Sequence, residues 1–81
     1  MTRDQIKECV LIAVDGVILK GMTYTYQQLR NITAQVGAEI GYLENVHYDP
    51  HFSEDDTPVA NDVIRELADL GLIRPPVDSL T

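Results

Sequence analysis

Basic residues are scarce in this chain. Six Lys and Arg stand against thirteen Asp and Glu, a formal net charge of −7 over 81 residues. Such a balance argues against a generic phosphate-binding surface, whose affinity comes from counterions displaced by Lys and Arg. A local basic patch can still act against the average. Cysteine is almost missing as well. Cys9 stands alone, which excludes an intrachain disulfide. It lies in an apolar pattern with no basic neighbourhood to lower its pKa, so it reads as a small core residue rather than a nucleophile. Long apolar runs are absent. The longest, Cys9 to Val14, stops at Asp15, far short of the ~20 residues a membrane span needs. The opening MTRDQIKE has neither the basic nor the apolar region of a signal peptide. The expected location is the cytoplasm, with no membrane partner.

Signatures of catalysis are missing too. Ser53 and Ser79 lie in no G-x-S-x-G pattern. Gly16, Gly21, Gly37, Gly41 and Gly71 match neither a Walker loop nor a dinucleotide fingerprint. A non-enzymatic protein without cofactor is expected. His47, Asp49 and His51, with Glu54, Asp55 and Asp56 close by, are the one potential metal group. Histidines at i and i+4 suit zinc on a helix, but Pro50 lies between these two and excludes that geometry. They read as a polar loop, with no metal expected. The three acids favour the start of the next helix through its dipole.

What is present is helical patterning. Eighty-one residues make one domain of modest core, here residues 1–76 followed by a flexible tail over 77–81. Thr2 and Gln5 form a capping box. Ile6, Cys9, Val10, Ala13, Val14 and Val17 then follow at helical spacing. Gly16 is a soft spot inside this helix, and Gly21 is its expected stop. Thr25 and Gln28 open a second box, with Leu29, Ile32 and Val36 as its stripe. From there, either the helix breaks or bends near Gly37, or it runs on to about Val46. The alternation through Ile40 and Leu43 supports continuation. The ~2 kcal/mol that two internal glycines cost tips the balance slightly towards a break. His47 to Asp56 is a loop, long for so small a domain, with Phe52 as its anchor. The strongest element is TPVANDVIRELADLGLIRPP, residues 57–76. Thr57 is the expected N-cap and Pro58 the first helical residue. Val59, Val63, Leu67 and Leu70, widened by Ile64, form the buried stripe. Gly71 provides a left-handed stop, with Leu72 folding back on Leu67. Pro75 and Pro76 prevent the helix from resuming.

Three segments together resemble a winged helix-turn-helix domain: the Ile6 to Leu19 helix, TYQQLRNITAQVG at 25–37, and VANDVIRELADLGLI at 59–73. The likeness covers about two-thirds of the chain. It implies a mainly α, compact domain of three to four helices, helix-turn-helix or winged-helix-like, with a shortened wing. It also makes the last helix a recognition helix leading through Gly-Leu-Ile into the wing, and implies a DNA-binding regulator acting as a dimer. Lys20, Arg30, Asn61, Arg65 and Arg74 would then contact the nucleic acid.

The exposed face of that last helix favours a different partner. Asn61, Asp62, Arg65, Glu66 and Asp69 offer three acids and one base, a surface that phosphates repel. Tyr24 and Tyr26 flank a helix cap, and exposed tyrosines are common in protein interfaces. The expected function is therefore a small acidic regulatory module that binds another protein through these residues, as an inhibitor or a mimic of nucleic acid. DNA binding is the alternative, and a homodimer is possible in either case.

Overall fold

The computed structural model describes residues 1–16 and 22–77. Three helices make up the described fold: α1 (Arg3–Asp15), α2 (Tyr26–Leu43) and α3 (Thr57–Asp69). The mainly α expectation holds. The winged-helix likeness does not, because the described residues contain no β-strand and so no wing of any length. The reason lies in the exit from α3. Pro75 and Pro76 have no N–H to give to a strand ladder. Instead of pairing with a returning strand, this segment lies against the α1–α2 connection. The Tyr24 hydroxyl donates to the Arg74 carbonyl at 2.5 Å, and the Val77 N–H donates to the Tyr24 carbonyl at 2.9 Å.

Both capping boxes form as their residues require. The Thr2 and Thr25 hydroxyls accept from the Gln5 and Gln28 N–H groups, and each glutamine side chain reaches back to the cap N–H. Helix α1 ends earlier than the periodicity implied. Gly16 is its C-cap, in an extended conformation, rather than an interior residue. The expected stop at Gly21, the Val17–Leu19 extension and all of the expected tail at 77–81 except Val77 lie outside the described residues.

The fork over α2 resolves as one helix. Gly37 and Gly41 are interior and buried, and neighbours take the space a side chain would need. A Cβ on Gly37 would come within 2.7 Å of the Met1 Sδ and Cε, and one on Gly41 within 2.5 Å of the Tyr48 ring. The core-facing line is Leu29, Thr33, Gly37 and Gly41, every fourth residue, with Ile32 and Val36 partly buried beside it. The helix ends in a Schellman motif with Asn45 left-handed at φ 61°. The Val46 N–H donates to the Gly41 carbonyl at 2.7 Å, and the Asn45 N–H to that of Tyr42 at 3.3 Å.

Helix α3 begins one residue away from the expected register. Asp56, not Thr57, holds the cap position, and makes no side-chain cap bond. Ser53 does the capping work one turn earlier. Its hydroxyl accepts from the Asp56 N–H at 3.2 Å, and its carbonyl accepts from both the N–H and the hydroxyl of Thr57. Ser53 and Asp56 thus frame an S-x-x-D turn that leads straight into α3. The buried face also turns relative to the expected stripe. Ala60, Val63, Ile64 and Leu67 are fully covered, Val59 only partly, and Leu70 lies 64% exposed at the C-cap. Gly71 is left-handed at φ 75° as expected. The Leu72 N–H donates to the Leu67 carbonyl, yet the Leu72 side chain remains exposed and Ile73 enters the core in its place.

One cluster joins the three helices. Ile6, Val10 and Ala13 of α1 meet Leu29 of α2 and Val63, Ile64 and Leu67 of α3. Phe52 packs against the cluster from the loop, as expected. At the rim, Glu66 of α3 receives Arg3 at 3.3 Å and Lys7 at 3.4 Å from α1. Arg30 of α2 donates to the Asn61 side-chain carbonyl at 2.6 Å. Among the described residues, no helix is long and apolar enough to cross a membrane.

Candidate functional site

The face expected to meet a partner, or to read DNA, is largely occupied with its own structure. Asn61 is half-buried and holds Arg30. Asp62 pairs with Arg65 at 3.2 Å, one turn along the same helix. Glu66 bridges to α1 through two cations. Asp69 is exposed at the end of α3. Arg3, Lys7, Arg30 and Arg65 are thus each engaged with an oxygen of this chain. Arg74 lies exposed after α3, and Lys20 is outside the described residues. Without a wing the DNA-binding expectation loses the architecture on which it rested.

The tyrosine pair separates in the same way. Tyr24 is 2% exposed, and its hydroxyl is held by the Arg74 carbonyl. Burial pushes its phenol pKa up, with the Arg74 charge opposing. Tyr26 is half-buried against the core cluster. These two therefore serve packing rather than an exposed patch. Cys9 is buried and faces Gly37, and burial, assisted by the Glu8 charge, raises its thiol pKa. In the loop, His47 lies 3.5 Å from Asp49, both exposed to solvent. Among the described residues, no three His, Cys, Asp or Glu side chains converge as a metal set.

A different surface stands out, at the C-terminal end of α2. Tyr42 and Leu43 are 83% and 82% exposed, with Val46 exposed beyond them. Ala38 and Tyr42 lie one turn apart, as do Glu39 and Leu43, so these four form two adjacent ridges on the outer side of the helix. They line an open apolar groove. It continues past Ala38 and Tyr42 to Asn45, Val46 and Tyr48. The Schellman turn builds this extension by folding residues 44–46 back over Gly41. Tyr48 fixes the far wall: its ring covers Gly41 and its hydroxyl accepts from the Gln5 side chain at 3.4 Å.

Sequence reasoning missed this surface because Leu43 continues the apolar alternation that starts at Leu29 and so does not stand out from it. One signal was available. Asn45 is a residue type that stops helices in the left-handed conformation. Leu70 is also exposed, but it sits among Arg3, Asp62, Arg65, Glu66 and Asp69, where the ion pairs surround it with polar surface.

In comparison with known proteins, the chain matches no family model, no curated protein and no solved structure.

Proposed function

We propose that this protein is a small acidic regulatory module that acts without catalysis, by binding another protein through the outer face of the α2 C-terminus. The observation that carries this reading is the exposure of Tyr42 beside Leu43 on one regular, well-capped helix end. A large apolar pair on a regular helix end releases water from a broad area on binding. Tyrosine at the centre of such a patch is typical of residues that anchor protein interfaces. The α3 surface supports the reading less well, since Asp62 and Glu66 already have cationic partners within the chain.

A photo-crosslinking residue placed at position 42 tests the reading against the same residue at Asn31, on the polar part of the same helix. A protein captured at 42 and not at 31 is expected. Once identified and purified, it binds the wild-type chain, and Leu43→Ser weakens that binding by about tenfold, the loss of one central apolar contact of ~1.4 kcal/mol. Equal capture at both positions, or an identified protein indifferent to Leu43→Ser, overturns the reading.

A further inference from the structure

The charge of the chain is unevenly placed. Residues 31–64 contain seven Asp and Glu and no Lys or Arg, so this stretch accounts for the whole formal charge of −7. The α2 groove lies inside it. Glu39 stands on the groove wall, and Glu44 is the C-cap immediately after Leu43. No basic residue occupies the last turn of α2. A helix C-terminus carries a partial negative charge and is stabilised by a cation. Here the chain supplies acids where the dipole favours bases, so the Glu39 wall of the groove and the helix end beside it attract positive charge from outside.

The backbone restricts the form of the occupant. A docked β-strand needs an exposed strand edge to satisfy its N–H and C=O groups, and the described residues contain no strand. A segment that meets its own backbone hydrogen bonds is a helix. Ala38, small and one turn before Tyr42 on the same ridge, lets such a helix approach closely. A second copy of this chain is disfavoured, because pairing the same groove would set Glu39 and Glu44 against their own kind.

Resting on the protein-docking reading of this groove, we propose that its occupant is a basic amphipathic helix of a partner protein. The apolar stripe of that helix seats between Tyr42 and Leu43, and its flanking Lys or Arg residues pair with Glu39, Glu44 and the negative end of α2. The apolar contact holds the complex, and the charges select the partner and set its orientation.

Two designed amphipathic peptides of about five helical turns test this, one of Leu and Lys and one of Leu and Glu with the same apolar stripe. Binding is read from backbone amide shifts in the full chain. The Leu/Lys peptide is expected to shift Ala38, Glu39, Tyr42, Leu43 and Val46, and to weaken as salt rises. Leu43→Ser, 82% exposed in the free protein and so harmless to the fold, weakens it about tenfold. Glu39→Lys with Glu44→Lys abolishes the preference over the Leu/Glu peptide. If the Leu/Glu peptide binds the groove equally well, the basic partner is wrong and the docking surface stands. If the Leu/Lys peptide shifts only Glu54 to Asp62, and neither peptide moves the groove, both readings fail. Concentration-dependent groove shifts with no peptide overturn the inference in favour of self-association.

Discussion

The Tyr24 phenol donates its proton to the Arg74 carbonyl across a separation of fifty residues, while its own carbonyl accepts from the Val77 N–H. One residue thus clasps the exit from α3 to the entry of α2. Tyr24→Phe keeps the ring and removes the donor. It is expected to lower unfolding stability by ~1 kcal/mol, the net worth of one hydrogen bond, measured as a lower urea midpoint at unchanged slope.

The same residue gives the protein an alkaline limit. Burial raises the Tyr24 phenol above its ordinary value of 10.0 and the Cys9 thiol above 9.0. In both cases the folded state holds its proton to higher pH than the unfolded state does. The stabilisation is complete below the unfolded values and declines as pH rises through them towards the folded ones. Stability is therefore expected to fall from about pH 9 upwards. Cys9→Ala with Tyr24→Phe flattens that decline in urea titrations across the alkaline range, and an unchanged slope counts against these two groups as its origin.

The two glycines of α2 are expected to respond oppositely to alanine. At Gly37 the new Cβ meets the Met1 thioether, the free end of a flexible side chain that can swing aside. Gly37→Ala then gains up to ~1 kcal/mol of helix propensity. At Gly41 the Cβ meets the Tyr48 ring and, at 2.6 Å, the Val46 carbonyl, which belongs to the backbone turn. Gly41→Ala destabilises by ~1–3 kcal/mol through overpacking, despite the better propensity. Thermal melts of the two variants give opposite signs if the packing is as described.

Leu67 and Leu70 test the register of α3. Leu67 is fully buried and Leu70 mostly exposed. Leu67→Ala should cost ~2–5 kcal/mol through transfer and cavity terms, whereas Leu70→Ala should stay within about 0.5 kcal/mol. Comparable losses would restore the stripe that apolar spacing alone suggests.

Thr33 is fully buried on α2, and its hydroxyl has no hydrogen-bond partner among the described residues. An orphan hydroxyl in the core costs ~1–3 kcal/mol of lost hydration. Thr33→Val has nearly the same shape and no such group. It should raise the urea midpoint, or leave it unchanged, and a lower midpoint would show that the hydroxyl is satisfied in solution.

Local chemistry was the most legible part of the sequence. Thr2 with Gln5, Thr25 with Gln28, and Gly71 after α3 each act through atoms a few residues away, and each forms as read. Errors arose where distant neighbours decide. Ala60 carries little weight in an apolar pattern, yet it is fully covered in the core, while Leu70 matches the spacing but lies beyond the last helical turn. The fork at Gly37 leaned slightly towards a break because nothing nearby in sequence shows that Met1 and Tyr48 will lie against Gly37 and Gly41. The wing was inferred from the end of α3, whereas two prolines and the Tyr24 clasp direct the chain beyond that helix. The α2 groove was hidden for a related reason: Leu43 continues a valid helical period past the point where there is another helix to pack on.

Gly41 also has a bearing on motion. The final turns of α2 contain two residues of poor helical propensity, so their helicity depends on the Met1 and Tyr48 side chains that lie over them. Local opening of this helix end begins with Tyr48 lifting away, which removes a wall of the groove at the same moment. Whatever binds Tyr42 and Leu43 must therefore also close that opening. Amide exchange at Glu44 and Val46, whose N–H groups cap the helix, slows in proportion to how firmly the groove is held.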